Sequence, residues 1–360
     1  EAATCTSVEC DPITVLVTGC NSGIGEAAAR RFASEGHTVI LACRTLDKAA
    51  ATADAIAATG VPTERLIAAE CDLASLESVR ALAARVRGDD ALRPLGALCL
   101  NAGAQFTGAP EPLRTTDGFE LTIGANHLGH FALVNLLLPV MAPRGRIVFT
   151  ASEVHDPESP GGAVGPGATL GDLSGLRAAA ASGAGAFTMV DGGEWDADKA
   201  YKDSKLCNVL TCRELARRLK EAGSDVTATA FGPGLITETS FFSNNQYQSA
   251  GAMGAFDLFA DKLFKVTETR EGGGKLMEYM ALSPELDGVS GQYYNNALAG
   301  YNAHAFEQQP GSVESRDAAE AAALWELSAK LVGVSPELVL DDGGGPDAAA
   351  KEAAMAMVVM

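Results

Sequence analysis

Short runs of β-branched and other apolar residues alternate along this chain with longer alanine-rich stretches, in which apolar residues recur at positions i, i+3 and i+4. The short runs predict buried strands, and the wider spacing predicts amphipathic helices. The predicted strands are residues 14–18, 38–42, 65–69, 97–100, 146–150, 226–230 and 292–294. The predicted helices are residues 25–34, 47–59, 76–87, 119–138 and 200–220.

This regular strand-helix alternation is typical of an α/β fold whose parallel sheet is covered by helices on both faces. We therefore predict a doubly wound, Rossmann-like parallel sheet in a single domain over residues 13–335. Residues 1–12 form an N-terminal extension in this scheme, and residues 336–360 form a C-terminal tail.

Two stretches interrupt the alternation. Residues 153–198 form a long insertion rich in glycine and proline, and residues 240–274 carry aromatic side chains that predict a helical flap. Both follow strand ends on the side where α/β folds bind ligands, and long connections in compact domains are usually functional. We expect them to roof a pocket, although each could also be surface decoration.

The charge balance excludes some classes of function. The 360 residues include 27 basic and 46 acidic side chains, for a net charge of −19, and 47% are hydrophobic. Such a composition is globular, and a chain this acidic is a poor partner for nucleic acid. The apolar region 121–143 is interrupted by polar residues and Pro139, so no transmembrane span is predicted.

Cysteine usage and the first residue bear on the compartment. Eight cysteines occur without a C-x-x-C pair, which indicates a reducing environment. The chain begins at Glu1, which we interpret as the start of a processed or trimmed chain whose targeting peptide lies outside this sequence. His127 and His130 lie three residues apart without a third ligand nearby, so a core role is expected and no metal is predicted.

A glycine-rich turn follows the first predicted strand and opens the first helix. Glycines here permit a tight turn and the close approach of a pyrophosphate to backbone N–H groups at the helix start. The spacing therefore predicts a dinucleotide site. It comprises Gly19, Asn21, Ser22, Gly23, Ile24 and Gly25.

The end of the second strand decides which dinucleotide is preferred. A site selective for NAD places an acidic residue there, whereas this chain has Arg44, which can contact a 2′-phosphate. NADPH is therefore the predicted cofactor. The ends of the next two strands are expected to complete its site with Asp72, Leu73, Asn101, Ala102 and Gly103.

The helix after the insertion carries the candidate chemistry. Tyr201 and Lys205 are four residues apart and share one helix face, where an ammonium is expected to lower the pKa of the phenol and prepare it to donate a proton. Asn126 and Ser152, which follows the fifth strand, complete a candidate catalytic tetrad.

Together these motifs resemble the short-chain dehydrogenase/reductase family. Within it, the chain is similar from Val15 to about Gly333 to the light-dependent protochlorophyllide oxidoreductases. The similarity is carried by Asn126-His127-Leu128-Gly129-His130-Phe131, Gly171-Asp172-Leu173-Ser174-Gly175-Leu176, Asp191-Gly192-Gly193-Glu194-Trp195, Lys199-Ala200-Tyr201-Lys202-Asp203-Ser204-Lys205 and Leu324-Trp325-Glu326-Leu327-Ser328-Ala329-Lys330-Leu331-Val332-Gly333.

The resemblance implies NADPH-dependent reduction of the C17–C18 double bond of protochlorophyllide, driven by light. It assigns Tyr201 to orienting the substrate or donating the proton, and Lys205 to the nicotinamide ribose and the phenol. Asn126 would support Lys205 through a water, and Pro233 and Gly234 would contact the cofactor. The implied pigment pocket includes Gly232, Leu235, Phe241 and Phe242.

The chain departs from the family after the sixth strand. Phe231-Gly232-Pro233-Gly234-Leu235 stands where the family has Tyr-Pro-Gly-Cys, so Gly232 replaces a tyrosine and Leu235 a cysteine. Gly232 is expected to remove an aromatic wall and leave room in the pocket, with slow photoreduction as the result. Ser152 stands where the family often has threonine.

Two further hypotheses follow from these departures. One is a light-independent NADPH reductase of a lipophilic carbonyl substrate, and the other is a non-catalytic pigment-binding or structural subunit of a photosynthetic assembly. The expected partners are protochlorophyllide or a related tetrapyrrole, the thylakoid surface by peripheral association, and an oligomer or assembly partner. The expected location is the chloroplast, in the stroma or at the thylakoid.

Overall fold

A computed structural model describes residues 11–106, 109–183, 185, 187–236, 267–300 and 303–341. Its centre is an eight-stranded sheet in the order β3-β2-β1-β4-β5-β6-β7-β8. Strands β1 to β7 are parallel, and β8 runs antiparallel to β7. The strands are β1 Thr14–Thr18, β2 Thr38–Cys43, β3 Leu66–Glu70, β4 Leu95–Leu100, β5 Met141–Thr150, β6 Thr227–Gly232, β7 Tyr293–Gly300 and β8 Ala303–Gln309.

Helices cover both faces of this sheet. They are α1 Gly23–Ser34, α2 Leu46–Ala57, α3 Leu76–Gly88, α4 Leu121–Ile123, α5 Gly129–Leu137, α6 Ser174–Ser182, α7 Ala197–Glu221, α8 Arg270–Leu282 and α9 Ala318–Val332. A π-helical turn, Gly124–Leu128, joins α4 to α5. The predicted doubly wound α/β fold is confirmed by this arrangement.

Two hydrophobic clusters pack on opposite faces of the sheet. One includes side chains of α3, α5, α7 and α9, such as Leu206 and Trp325. The other includes side chains of α1, α2 and α8, such as Phe32 and Met277. Because both clusters share the strands between them, they form the two halves of one domain.

The strand positions agree with the sequence pattern to within a few residues for the first four, whereas β5 begins earlier and β7 continues further than predicted. Strand β8 and helices α6, α8 and α9 were not predicted. In β8 most side chains are exposed or half-buried, so the strand lacks the apolar run that marks the buried ones.

One helical stretch of the described residues, Leu121–Val140, is long and apolar enough to cross a membrane by length and composition alone. Its most apolar window is 78% buried inside the protein. Phe131 and Leu133 of this stretch lie in the core. The stretch therefore packs as a central helix of the fold.

The structure describes most of the predicted insertion but only the last part of the predicted flap. The insertion contains α6, and several of its residues between 153 and 164 border the central cavity. Residues 240–266 of the predicted flap lie outside the described residues, as does the tail from 342 onward. Residues 270–274, the last of the predicted flap, begin α8, which packs against α1.

Candidate active site

The carboxyl ends of the parallel strands open into one cavity of about 1480 Å³. Parallel α/β sheets bind ligands at this edge, because the loops that follow the strands diverge there. The predicted residues that line it are Gly19, Asn21, Ser22, Gly23, Ile24, Arg44, Asp72, Leu73, Asn101, Ala102, Gly103, Asn126, Ser152, Tyr201, Lys205, Pro233, Gly234 and Leu235. Gly25 and Gly232 are buried and are not among the lining residues, and Phe241 and Phe242 are outside the described residues.

The glycine turn between β1 and α1 is closely packed. Gly19 and Gly23 have φ angles of +66° and +63°, which favour glycine. A Cβ on Gly25 would lie 2.5 Å from the Asn101 side-chain nitrogen. The Asn101 amide in turn donates to the Thr18 carbonyl at 2.9 Å, and its backbone N–H donates to the Thr18 hydroxyl at 2.9 Å. These contacts hold the ends of β1 and β4 in a fixed arrangement.

The start of α1 fits a dinucleotide phosphate. Ser22 is the N-cap residue and has an extended backbone. The first N–H groups of a helix have no partner within it and attract an anion. Exposed Arg44 and Lys48 border the same cavity and supply positive charge. The buried Thr150 hydroxyl, also in the lining, has no hydrogen-bond partner among the described residues.

Asp72 stabilises its own turn at the end of β3. Its carboxylate accepts a bond from the Ala74 N–H at 3.0 Å, while its backbone N–H donates to the Ser78 hydroxyl at 2.9 Å. These two bonds shape the turn that brings Leu73 to the cavity. Leu73 itself packs closely on Gly129, where an added Cβ would lie 2.5 Å from the Leu73 carbonyl oxygen.

Asn126 braces two elements in the π-helical turn. Its side-chain oxygen accepts from the Ala104 N–H at 2.8 Å, and its side-chain nitrogen donates to the Ala104 carbonyl at 2.9 Å and the Ser204 hydroxyl at 3.0 Å. The His130 ring contacts its backbone carbonyl at 3.0 Å. The carboxamide therefore joins Ala104 to Ser204 of α7, and its support of Lys205 through a water stays a prediction.

Tyr201 and Lys205 lie in the first turns of α7 and face the cavity together. The Lys205 ammonium lies 5.5 Å from the centre of the Tyr201 ring and donates to the Thr150 carbonyl at 3.0 Å. Burial lowers the pKa of Lys205 to about 8. The pair is thus placed where a bound cofactor and a substrate would meet.

The expectation that Lys205 lowers the pKa of the Tyr201 phenol is wrong for this state of the protein. Burial raises the pKa of Tyr201, because the phenolate would lose its hydration, and a hydrogen bond with Ser152 opposes this rise. Ser152 is itself held in a tight turn after β5, where its carbonyl contacts the His155 ring at 2.6 Å. A protonated phenol at neutral pH can act as a proton donor.

The neighbourhood of Gly232 differs from the sequence expectation. Gly232 ends β6 and pairs with Asn295 of β7. A Cβ on Gly232 would collide with the Asn295 side-chain oxygen and would lie 2.6 Å from the Tyr293 hydroxyl. The expected empty space is therefore absent, because Tyr293 and Asn295 fill it from the neighbouring strand.

Leu235 lines the cavity beyond the end of β6. Its backbone carbonyl accepts a bond from the Glu268 N–H at 2.7 Å, which joins the chain on either side of residues 237–266. The next strand adds Asn296, whose amide donates to the Pro233 carbonyl at 3.2 Å and to Glu268 at 3.1 Å. The loop after β6 is therefore held from both sides.

The lining residues that the sequence analysis missed include Lys202, Tyr293 and Asn295. Lys202 lies inside a recognised motif but was not distinguished from its neighbours. Asn295 and Asn296 place two successive amides on a strand of the sheet, a polar pair that the sequence displays. Buried amides on a central strand are unusual and point to a ligand or a hydrogen-bonding role.

The remaining candidate ligands have structural partners. The rings of His127 and His130 contact the hydroxyls of Ser328 and Thr18 at 2.8 Å and 2.9 Å. Burial lowers the pKa of His127 to about 3 and that of His130 to about 4. No group of three or more metal-ligating side chains occurs in the part of the chain that the structure describes. The six described cysteines are all free and buried.

The chain is similar to known dehydrogenases and reductases. The family model for short chain dehydrogenases matches residues 13–164. Protochlorophyllide reductase of Pisum sativum is 39% identical over 89% of this chain and 78% of its own length. The Chlamydomonas reinhardtii protein of the same name is 37% identical, with the same two coverages. Both are chloroplastic, which supports the predicted plastid location.

Solved structures share the fold. An uncharacterised protein from Mycobacterium paratuberculosis is 30% identical, covers 91% of this chain and 95% of its own, and superimposes with a TM-score of 0.63. A short chain dehydrogenase from Burkholderia cenocepacia, solved in complex with NADP, is 23% identical with a TM-score of 0.56 and covers 80% and 97%.

The extent of the curated matches decides the classification. They span 89% of this chain at more than a third identity. The protein is accordingly an NADPH-dependent oxidoreductase with a Rossmann-like fold. Its chain belongs to the protochlorophyllide reductase family of the short-chain dehydrogenases.

Proposed function

We propose that this protein uses NADPH and light to reduce the C17–C18 double bond of protochlorophyllide. The observation that carries the proposal is the similarity to protochlorophyllide reductases, at 36–39% identity over 89% of the chain. This similarity takes in the insertion, whose residues 165–198 lie beyond the match to the general dehydrogenase model.

The size of the cavity is consistent with a large second ligand beside the cofactor. Its volume of about 1480 Å³ exceeds the ~300–1,000 Å³ of an ordinary small-molecule site. One part is lined by the glycine turn and Arg44, and another by insertion residues and β7. A dinucleotide in the first part leaves the second for a flat tetrapyrrole.

The reaction adds a hydride to one carbon of the double bond and a proton to the other. Bound NADPH supplies the hydride; Gly19, Gly23 and the start of α1 would hold its phosphates, with Arg44 at the 2′-phosphate. Tyr201 donates the proton, since burial keeps its hydroxyl protonated. Ser152 orients that hydroxyl through their hydrogen bond.

Lys205 and Asn126 have different supporting roles in this proposal. Lys205 would contact the nicotinamide ribose, while its bond to the Thr150 carbonyl fixes its direction. Asn126 positions α7 through Ser204. Leu235 has no proton to give, so Tyr201, or a water that it orients, must supply the proton.

The experiment mixes purified protein with NADPH and protochlorophyllide and records absorption spectra in the dark and after single flashes. We expect pigment binding in the dark and chlorophyllide after illumination. Tyr201→Phe and Lys205→Ala should each remove at least nine-tenths of turnover, and the double variant should be little worse, because the residues act as one unit.

Three results would contradict parts of this proposal. Reduction in the dark would favour an ordinary hydride transfer to another substrate. Binding without any photoreduction would favour a pigment-holding subunit. Additive losses for the two single variants would mean that Tyr201 and Lys205 serve separate steps.

A further inference from the structure

Strand β7 carries two buried polar side chains toward the cavity. Tyr293 and Asn295 are two residues apart and therefore share one face of the strand. Both line the cavity, although only 1% of Tyr293 and 3% of Asn295 is exposed. They lie beside Gly232, in the space that a side chain there would need.

Hydrogen bonding fixes the orientation of the Asn295 carboxamide. The Tyr293 hydroxyl donates to the Asn295 side-chain oxygen at 3.0 Å. The Tyr293 ring is held edge-on by His155, with their centres 4.7 Å apart. The oxygen is thus committed, and the Asn295 side-chain nitrogen has no hydrogen-bond partner among the described residues. Because Asn295 lines the cavity, this nitrogen is available to donate to an acceptor on a bound ligand.

The charges around this donor restrict what it can bind. Burial raises the pKa of Tyr293, and the carboxylates of Glu153 and Asp156 raise it further. Their negative potential also disfavours an anionic group beside Asn295. A neutral carbonyl oxygen can accept a hydrogen bond from the Asn295 nitrogen and adds no negative charge beside Glu153 and Asp156.

We propose that the Asn295 side-chain nitrogen donates a hydrogen bond to a neutral carbonyl oxygen of the substrate, and that Tyr293 is the residue that positions it. The inference rests on the proposed function, because protochlorophyllide carries a ring ketone conjugated with its macrocycle. Asn295 would then determine how the pigment is turned relative to Tyr201.

Vibrational spectra of the bound pigment test this contact directly. A hydrogen bond to a conjugated ketone lowers its C=O stretching frequency. In dark complexes with NADPH and protochlorophyllide, Asn295→Ala and Asn295→Asp should raise that frequency relative to the unmodified protein. Both should also weaken pigment binding about fivefold or more, while NADPH binding changes less than twofold.

Two further variants make the test specific. Tyr293→Phe keeps the ring but no longer holds the Asn295 carboxamide in one orientation. The C=O band of the pigment should therefore broaden and shift to higher frequency. If the Asn295 variants do not fold, this variant alone tests the inference. Asn135→Ala is the matched control, because the Asn135 amide donates to the Phe131 carbonyl at 2.8 Å and does not line the cavity. It should leave the band unchanged.

The outcomes separate this inference from the proposed function. If the unmodified protein binds protochlorophyllide but the Asn295 variants leave the C=O frequency unchanged, the inference is overturned and the proposed function stands. If the unmodified protein binds no pigment, the proposed function fails and the inference fails with it.

Discussion

Lys205 is almost fully buried in the lining of the cavity, where its ammonium donates to the Thr150 carbonyl. Burial lowers its pKa from 10.5 to about 8. Between these values the unfolded chain binds more protons than the folded protein, so stability rises with pH across this window. Below about pH 8 the folded protein bears the full cost of a buried charge. The buried charge of Lys205 therefore lowers the free energy of unfolding of the cofactor-free protein at neutral pH.

We predict that Lys205→Met stabilises the cofactor-free protein by roughly 3 kcal/mol at pH 7, the value expected for this pKa difference. The gain should shrink above pH 8 and vanish near the unfolded pKa, because the lysine is then neutral in both states. Urea unfolding of both proteins at pH 7 and pH 9.5 measures this difference in the free energy of unfolding. Equal gains at both values would mean that the charge is not the cause.

Arg44 follows β2 and lies exposed at the edge of the cavity. Its guanidinium can make a charge-assisted contact with a 2′-phosphate, which is worth about 1.5–3 kcal/mol. Arg44→Ala should therefore weaken NADPH binding at least tenfold and leave NADH binding nearly unchanged, as fluorescence titration would show. Arg85→Ala is a matched control, since Arg85 contacts the Ala68 carbonyl away from the cavity. Equal losses for both cofactors would refute this assignment.

At the scale of the element, helix α7 carries the reacting side chains and also holds the insertion. Tyr201 and Lys205 face the cavity, whereas Lys202 donates to the backbone carbonyls of Gly162, Val164 and Pro166. Lys199 donates to the Thr169 carbonyl at 2.7 Å, and the Asp203 carboxylate accepts from the Thr169 N–H at 3.0 Å. One helix therefore positions both the reacting groups and the loop that borders the substrate region.

We predict that Lys202→Met loosens the insertion, because three backbone carbonyls lose a charged donor. Pigment binding in the dark should weaken at least tenfold, and NADPH binding should change less than twofold. Limited proteolysis should detect new cleavage between residues 158 and 168.

Lys220→Met serves as the control for the Lys202 experiment, because Lys220 is exposed near the other end of α7. It should behave like the unmodified protein in both assays. A parallel loss of NADPH and pigment binding in Lys202→Met would instead indicate general unfolding of α7.

At the scale of the whole molecule, the sheet lies between the two hydrophobic clusters, and α9 packs against one of them. Trp325 of α9 is fully buried, lies edge-on to Phe131 at 4.7 Å between ring centres, and donates to the Pro336 carbonyl at 2.8 Å. The Arg218 guanidinium lies 5.0 Å from its ring centre. This C-terminal helix is therefore part of the folded core.

We predict that Trp325→Ala lowers the free energy of unfolding by about 3–5 kcal/mol, as large core truncations do. Because the two cores share the sheet, circular dichroism and the fluorescence of Trp195, the other tryptophan, should report one coincident transition. Val339→Ala, at a half-exposed site, should cost less than about 1 kcal/mol. Separate transitions for the two probes would mean that the insertion unfolds independently.

The sequence alone determined the order of the first strands and helices, the glycine turn before α1 and the shared face of Tyr201 and Lys205. These features depend on residues only a few positions apart, through apolar periodicity, turn geometry and helical spacing. The family resemblance, which local motifs carry, also identified the class of enzyme that the comparisons support.

The tertiary structure alone decided which distant groups meet. Gly232 lies 63 positions from Asn295 in the chain, yet the β6–β7 register makes them direct neighbours, so the space expected at Gly232 is filled. Asn126 is committed to Ala104 and Ser204, and Lys202 to the insertion, for the same reason. Such contacts, and the desolvation that shifts the pKa of Tyr201 and Lys205, arise from packing between elements, which no local pattern records.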